Sequence, residues 1–115
     1  MSIKRGEVWS VSLSMDAKGA EINKTRPCVV VNDDAIGALP LKIIVPLSRW
    51  QDRYSVAPWH IPVDSSPGNG LKIKSTADTF QIRSISETRF VEKIGELTEE
   101  DLERINIGLA ICLCM

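Results

Sequence analysis

The run Pro27-Cys-Val-Val-Val31 constrains the fold more than any other stretch of the chain. It is continuously apolar, too short for a helix and rich in β-branched residues. Such a run predicts a strand with apolar side chains on both faces, buried on both sides. Asn32-Asp33-Asp34 closes it with residues that favour turns.

Other segments repeat with the period of a strand. Trp9, Val11 and Leu13 alternate with Ser10 and Ser12, which predicts a half-buried strand over Glu7 to Leu13. A polar loop, Ser14 to Thr25, separates it from the apolar run. Leu41 to Leu47 reads as a third strand, with Pro46 near its end, where a missing N–H harms the ladder least. In a fourth, Trp59, Ile61 and Val63 alternate with His60 and Pro62, and Pro62 predicts an edge position. Pro67-Gly-Asn-Gly70 is a turn by composition. Ser75 to Ile85 supplies one or two further strands, with Phe80, Ile82 and Ile85 as apolar positions around a break near Arg83. The period then changes. Thr98 is placed to cap a helix, Glu99, Glu100 and Asp101 put negative charge in its first turn, and Leu102, Ile105 and Leu109 recur at helical spacing. The second half of this helix, Ile107 to Met115, is apolar nearly all round, so the barrel or a second subunit is expected to cover it. The fold class is therefore mainly β with a C-terminal α-helix, a small, mostly antiparallel β-barrel in a single domain over residues 1–115.

With 115 residues, 43% apolar and 25% charged, the chain has material for one ordinary core. No apolar stretch approaches the length of a membrane span, and Met-Ser-Ile-Lys-Arg-Gly-Glu at the N-terminus lacks the apolar centre of a signal peptide. A cytoplasmic protein without a membrane partner is expected. The formal net charge of −1 excludes holding long nucleic acid by bulk electrostatics, so any nucleic-acid site must be local. Twelve of the 14 basic residues precede residue 90, whereas Glu92 to Glu103 holds six of the 15 acidic ones. A basic face opposite an acidic helix fits these counts, and so does a solvated mixed surface. Cys28, Cys112 and Cys114 lie in apolar surroundings without a C-x-x-C pair and read as buried, reduced thiols. No metal site and no cofactor are expected.

Conventional catalytic sets are scarce. His60 is the only histidine, which excludes a ribonuclease that uses two imidazoles as acid and base. Alternation against Trp59 and Ile61 makes it a rim residue. There is no Walker loop, G-x-G-x-x-G or H-E-x-x-H. Arg26 stands immediately before Pro27, which restricts it to an extended backbone and fixes where its guanidinium emerges. A planar cation with five donors suits a phosphodiester and the added charge of a pentacoordinate transition state. A loop arginine paired with Glu21 fits the same spacing. Ser48, in Pro46-Leu47-Ser48, leaves the third strand at a corresponding point, where a hydroxyl can serve a phosphate oxygen or simply a turn. Arg49-Trp50-Gln51-Asp52-Arg53-Tyr54 then alternates cations with aromatics, a pattern for binding single-stranded RNA or for an ordinary loop with Trp50 tucked beneath it.

These pieces stand in a familiar order: Lys4-Arg-Gly-Glu-Val-Trp9, Gly19-Ala-Glu21, Arg26-Pro27, Val29-Val-Val-Asn32, Val45-Pro-Leu-Ser48, Gln81-Ile-Arg83-Ser-Ile and the Leu97-Thr98 helix start. In that order and spacing the chain resembles the MazF/PemK toxins of bacterial toxin–antitoxin pairs. The resemblance implies a compact SH3-like barrel with a C-terminal helix, related to CcdB, and a homodimer whose RNA groove crosses the subunit interface. It also implies a cognate antitoxin and metal-independent cleavage of single-stranded RNA, usually messenger RNA, through attack of a ribose 2′-hydroxyl. By position, Arg26 matches the catalytic arginine and Ser48 a catalytic hydroxyl that is usually threonine. Glu21, Pro27, Arg49, Gln81 and Arg83 match or adjoin RNA-contacting positions. Ile22-Asn23-Lys24-Thr25 replaces a stretch that is often Gln- and Gly-rich. Two alternatives remain: a CcdB-like inhibitor of DNA gyrase, which would not need Arg26, and an antitoxin-binding member that has lost cleavage.

Overall fold

A computed structural model describes residues 2–13, 19–20, 24–37 and 39–115. The strands are β1 (Glu7–Ser12), β2 (Thr25–Val30), β3 (Leu41–Arg49), β4 (His60–Val63), β5 (Ser75–Asp78), β6 (Arg83–Ser86) and β7 (Phe90–Glu96), and helix α1 spans Glu99–Leu113. Single 3₁₀ turns occupy Asp52–Val56, Thr79–Gln81 and Glu87–Arg89. Pairing is antiparallel throughout and follows the order β4-β5-β3-β2-β1-β7, with β6 also on β3. The end strands β4 and β7 are not paired with each other, so the barrel-like sheet stays open.

Two cores explain why β2 is apolar on both sides. Val29 packs inward with Val8, Val45, Leu47, Ile61, Val63, Leu102 and Ile105, beneath the helix. Its neighbours Cys28 and Val30 face the other way, into a second cluster with Trp9, Val11, Leu13, Ile44, Ile85 and Phe90. There the Trp9 and Phe90 rings meet edge to face, with centroids 5.7 Å apart. Glu7 is buried at the start of β1. Its carboxylate accepts hydrogen bonds from the Lys4 N–H at 2.8 Å and Trp9 Nε1 at 3.0 Å, and it pairs with Lys93 Nζ at 3.0 Å.

Thr98 caps α1 as its position predicts, its hydroxyl accepting from the Asp101 N–H at 3.1 Å. Leu102 and Ile105 enter the inner core. Gly108 lets the helix come close to the sheet: a Cβ there would stand 3.0 Å from Ile61 and Thr79. Arg104 donates to the Pro62 carbonyl at 2.7 Å, so the helix satisfies a backbone group of β4. That strand lies at the end of the sheet, as Pro62 predicts.

Four expectations need correction. β3 does not end at Leu47 but continues to Arg49, because it changes partner after Pro46. β7 was not expected; its two register shifts against β1 and its exposed Val91 destroy the alternation that marks a strand. Glu92 and Glu96 therefore belong to a strand, and the acidic residues do not form one helical face. Of the two covers expected for the second half of α1, the barrel is not the one, since Ile107, Ile111, Leu113 and Met115 are exposed, as is Cys114, while Cys112 is half-buried. The helix packs mainly on β4 and the Thr79–Gln81 turn. Finally, the three thiols are not all buried: only Cys28 is.

Candidate active-site cleft

The change of partner along β3 builds the cleft. Residues Ile44 to Pro46 pair with β2, whereas Leu47 to Arg49 pair with β5. The β2–β3 ladder stops at Cys28↔Pro46, a pair in which proline offers no N–H, and β2 runs on through Pro27 and Arg26 without pairing to β3. A cavity of about 480 Å³ opens beside these strand ends, lined by Ser10, Arg26, Pro27, Leu47, Ser48, Arg49, Leu71, Lys72, Ser75 and Glu92 among others. The 64–71 turn reaches β7 at its back, where the Glu96 N–H donates to the Gly68 carbonyl at 2.9 Å. A Cβ on Gly95 would approach the Asn69 backbone to 2.5 Å, so this close contact requires glycine there.

Side-chain alternation relates the key residues. On β2, Arg26 shares a face with Cys28; on β3, Ser48 shares a face with Pro46. Since Cys28 and Pro46 are partners, Arg26 and Ser48 extend from the same face of the sheet at the mouth of the cleft. Arg26 is half-buried, and its Nε is buried without a hydrogen-bond partner among the described residues. Such a donor is costly to leave unmet and suits an anionic ligand. Ser48 is half-buried opposite Thr76, and Arg49, exposed, stands opposite Ser75. Cys28 lies behind Arg26, where burial pushes its thiol up to about 12 against the opposing effect of Arg83. It is therefore an inert core group.

A second groove of about 500 Å³ adjoins this face, lined by Leu13, Ala20, Pro46, Phe80, Gln81, Ile82 and Arg83. Arg83 is the β6 partner of Ile44, on the face that carries Pro46 and Ser48. Gln81 sits in the turn before β6, where its Nε2 donates to Asp78 Oδ2 at 3.3 Å and to the Ala20 carbonyl at 3.4 Å. The sequence-predicted positions thus divide between the cleft, with Arg26, Pro27, Ser48 and Arg49, and the groove, with Gln81 and Arg83. Glu21 lies outside the described residues.

The Arg49–Tyr54 loop is tied down. Trp50 meets Tyr54 edge to face at 5.7 Å beneath Lys74, and Tyr54 stacks on His60 at 3.8 Å and 7°. His60 is half-buried, with Nδ1 2.9 Å from the Thr76 hydroxyl. These rings pack against one another, which favours the tucked-loop alternative for Trp50 and Tyr54 and leaves Arg49 as the loop's contribution to the cleft. Lys72, Glu92 and Phe80 were not singled out as site residues from the sequence. Lys72 and Glu92 are brought in by turns and bulges without a local motif, and Phe80 was counted as an apolar strand position although its ring is exposed. Among the described residues no cluster of three or more His, Cys, Asp or Glu could hold a metal ion, and no helix is long and apolar enough to cross a membrane.

Solved structures share this architecture. MazF from Deinococcus radiodurans matches with a TM-score of 0.81 at 18% identity, over 100% of this chain and 99% of that one. An endoribonuclease in complex with its cognate antitoxin from Mycobacterial species matches at 0.74 and 20%, over 99% and 97%. The fold is therefore that of the MazF proteins. Sequence carries the assignment further: the chain is 31% identical to Endoribonuclease MazF9 of Mycobacterium tuberculosis over 96% of each. It is also 29% identical to Endoribonuclease EndoA of Bacillus subtilis, over 100% of this chain and 97% of that one. Residues 4–113 match the family of PemK-like, MazF-like toxins of type II toxin–antitoxin systems, and the chain belongs to that family.

Proposed function

We propose that this chain is the toxin of a toxin–antitoxin pair and a cytoplasmic endoribonuclease. It cleaves single-stranded RNA, messenger RNA above all, at preferred sequences and without a metal ion. The ribose 2′-hydroxyl gives its proton to water as its oxygen attacks the adjacent phosphorus, the bond to the 5′-oxygen breaks and that oxygen takes a proton from water, so the products carry a 2′,3′-cyclic phosphate and a 5′-hydroxyl. The observation that carries this reading is the buried, unpartnered Nε of Arg26 at the mouth of a cleft shared with Ser48, Arg49 and Lys72. Cations and hydroxyls suit phosphate oxygens better than a divalent ion, and Glu92 is the one carboxylate among the described lining residues.

Arg26 anchors the transition state. Because arginine stays protonated in proteins, its contribution is charge stabilisation of the pentacoordinate phosphate rather than base catalysis. Ser48 donates to a phosphate oxygen beside it. Arg49 holds the neighbouring backbone, Pro27 shapes the cleft wall, and Glu21, Gln81 and Arg83 contact the RNA on either side. The requirement for a 2′-hydroxyl spares DNA. The antitoxin is the protein partner, and the working form is a homodimer, supported by the uncovered apolar side of α1.

Incubating the protein with mixed-sequence RNA in excess EDTA, beside Arg26→Ala and Ser48→Ala, tests the assignment. Cleavage should persist in EDTA, fall by about 10²–10³-fold in Arg26→Ala, as for loss of one transition-state donor, and fall less in Ser48→Ala. Activity abolished by EDTA, or undiminished in Arg26→Ala, would contradict it.

A further inference from the structure

We infer that Phe80 is a specificity-determining residue of the groove: its ring stacks on one nucleobase of the single-stranded substrate, beside Gln81 and Arg83. The inference rests on the RNA-cleaving function proposed above. Phe80 is 69% exposed, although a phenylalanine at this point in the sequence pattern is expected to face a core. It is the middle residue of the Thr79–Gln81 turn, and that turn is rigidly held. The buried Thr79 donates to the Trp59 carbonyl through its N–H at 3.1 Å and its hydroxyl at 2.7 Å, and the Ile82 N–H closes on the Thr79 carbonyl at 3.3 Å. Trp59 meets the Phe80 ring at 65° with centroids 6.1 Å apart, so it props the ring without covering it as a stacked partner would. The ring thus has Trp59 against one edge and stands largely open to solvent.

Its surroundings specify the ligand class. The groove it lines, about 500 Å³, falls in the size range of about 300–1,000 Å³ for small-molecule sites. Phe80 supplies an aromatic face, and Gln81 an amide whose orientation is set by Asp78 and Ala20. Arg83 adds a cation on the sheet face that also carries Arg26 and Ser48. An aromatic ring, an oriented amide and a guanidinium within one groove match the base, base edge and phosphate of a nucleotide in single-stranded RNA. Trp50 and Tyr54, by contrast, are engaged with each other, with His60 and with Lys74. The polar members of the groove favour RNA over a protein partner, for which the apolar side of α1 is the better surface.

The test compares the full-length wild type with Phe80→Ala, Phe80→Leu and Phe80→Trp on a randomised RNA oligonucleotide pool, reading KM, kcat and base preference around the cut. Because the side chain is exposed, all four proteins should melt alike. Phe80→Ala and Phe80→Leu should raise KM on the order of 10-fold, in line with loss of one base stack, and flatten the preference at one position. Phe80→Trp should restore both. Wild-type cleavage with KM and preference unchanged in Phe80→Ala would overturn the inference while leaving the proposed function intact. So would a Phe80→Ala variant altered only in subunit or antitoxin association. Absence of RNA cleavage by the wild type would instead refute the proposed function, and this inference with it.

Discussion

At the scale of single residues, the site depends on where proline removes a backbone donor. Pro46 ends the β2–β3 ladder, and Pro27 holds Arg26 extended just beyond that point, so one guanidinium reaches the cleft with a buried Nε left for a ligand. The sequence alone showed Arg26 as one of two possibilities, a loop arginine or a phosphate anchor, and the family resemblance selected the second. Phe80 was misread because an apolar residue in a strand-rich segment is ordinarily inward, and only the 3₁₀ turn at Thr79–Gln81 reverses it. Away from the cleft, Glu7 shows how charge stabilises the fold. Burial pushes its carboxyl up, but hydrogen bonds from Lys4, Trp9 and Lys93 together outweigh this and hold it below the ordinary glutamate value. A carboxyl with a lowered folded pKa stabilises fully above its unfolded pKa of about 4.3 and loses that contribution as pH falls through the folded value. Thermal melts from pH 7 to pH 2 should therefore show Glu7→Gln less stable than wild type at neutral pH, with the gap closing below about pH 4. A gap of constant size across that range would show that ionisation of Glu7 is not what stabilises.

At the scale of elements, the parts with an undisturbed period were readable and the parts with bulges were not. β1, the core of β2 and α1 each keep one period and cap cleanly, so alternation, the β-branched run and Thr98 located them. β7 carries two register shifts, and β3 exchanges one partner for another, which a local pattern does not record. The cleft lies at that exchange, so its existence was not legible even though several of its residues were. Helix α1 leaves Ile107 and Ile111 exposed one turn apart, a short apolar stripe along one side of the helix, with Leu113 and Met115 exposed at its end. As the proposed dimer surface, this stripe predicts that the wild type sediments as a dimer at micromolar concentration and that Ile111→Glu shifts it toward monomer. A wild type that remains monomeric, or an Ile111→Glu variant that stays dimeric, would remove the stripe from the interface.

At the scale of the whole molecule, an open, bent sheet with two cores on opposite faces keeps both sides of β2 packed while leaving its first residues at the mouth of a cleft. Burial and access therefore come from one strand: Cys28 to Val30 are packed in, and Arg26 stands at the cleft mouth. Three cations, Arg26, Arg49 and Lys72, stand against one carboxylate, Glu92, at the cleft, so a chain of net charge −1 carries a locally basic site. In the mechanism proposed above, this cleft directs a ribose 2′-oxygen onto the neighbouring phosphate. The most direct measurement is mass analysis of the products from one cleaved RNA oligonucleotide in EDTA, beside the same oligonucleotide carrying a single 2′-deoxyribose at the cut. Attack by the 2′-oxygen gives 2′,3′-cyclic phosphate and 5′-hydroxyl ends from the first and leaves the second strand intact. Products bearing a 5′-phosphate, or cleavage of the 2′-deoxy strand at the same bond, would contradict it.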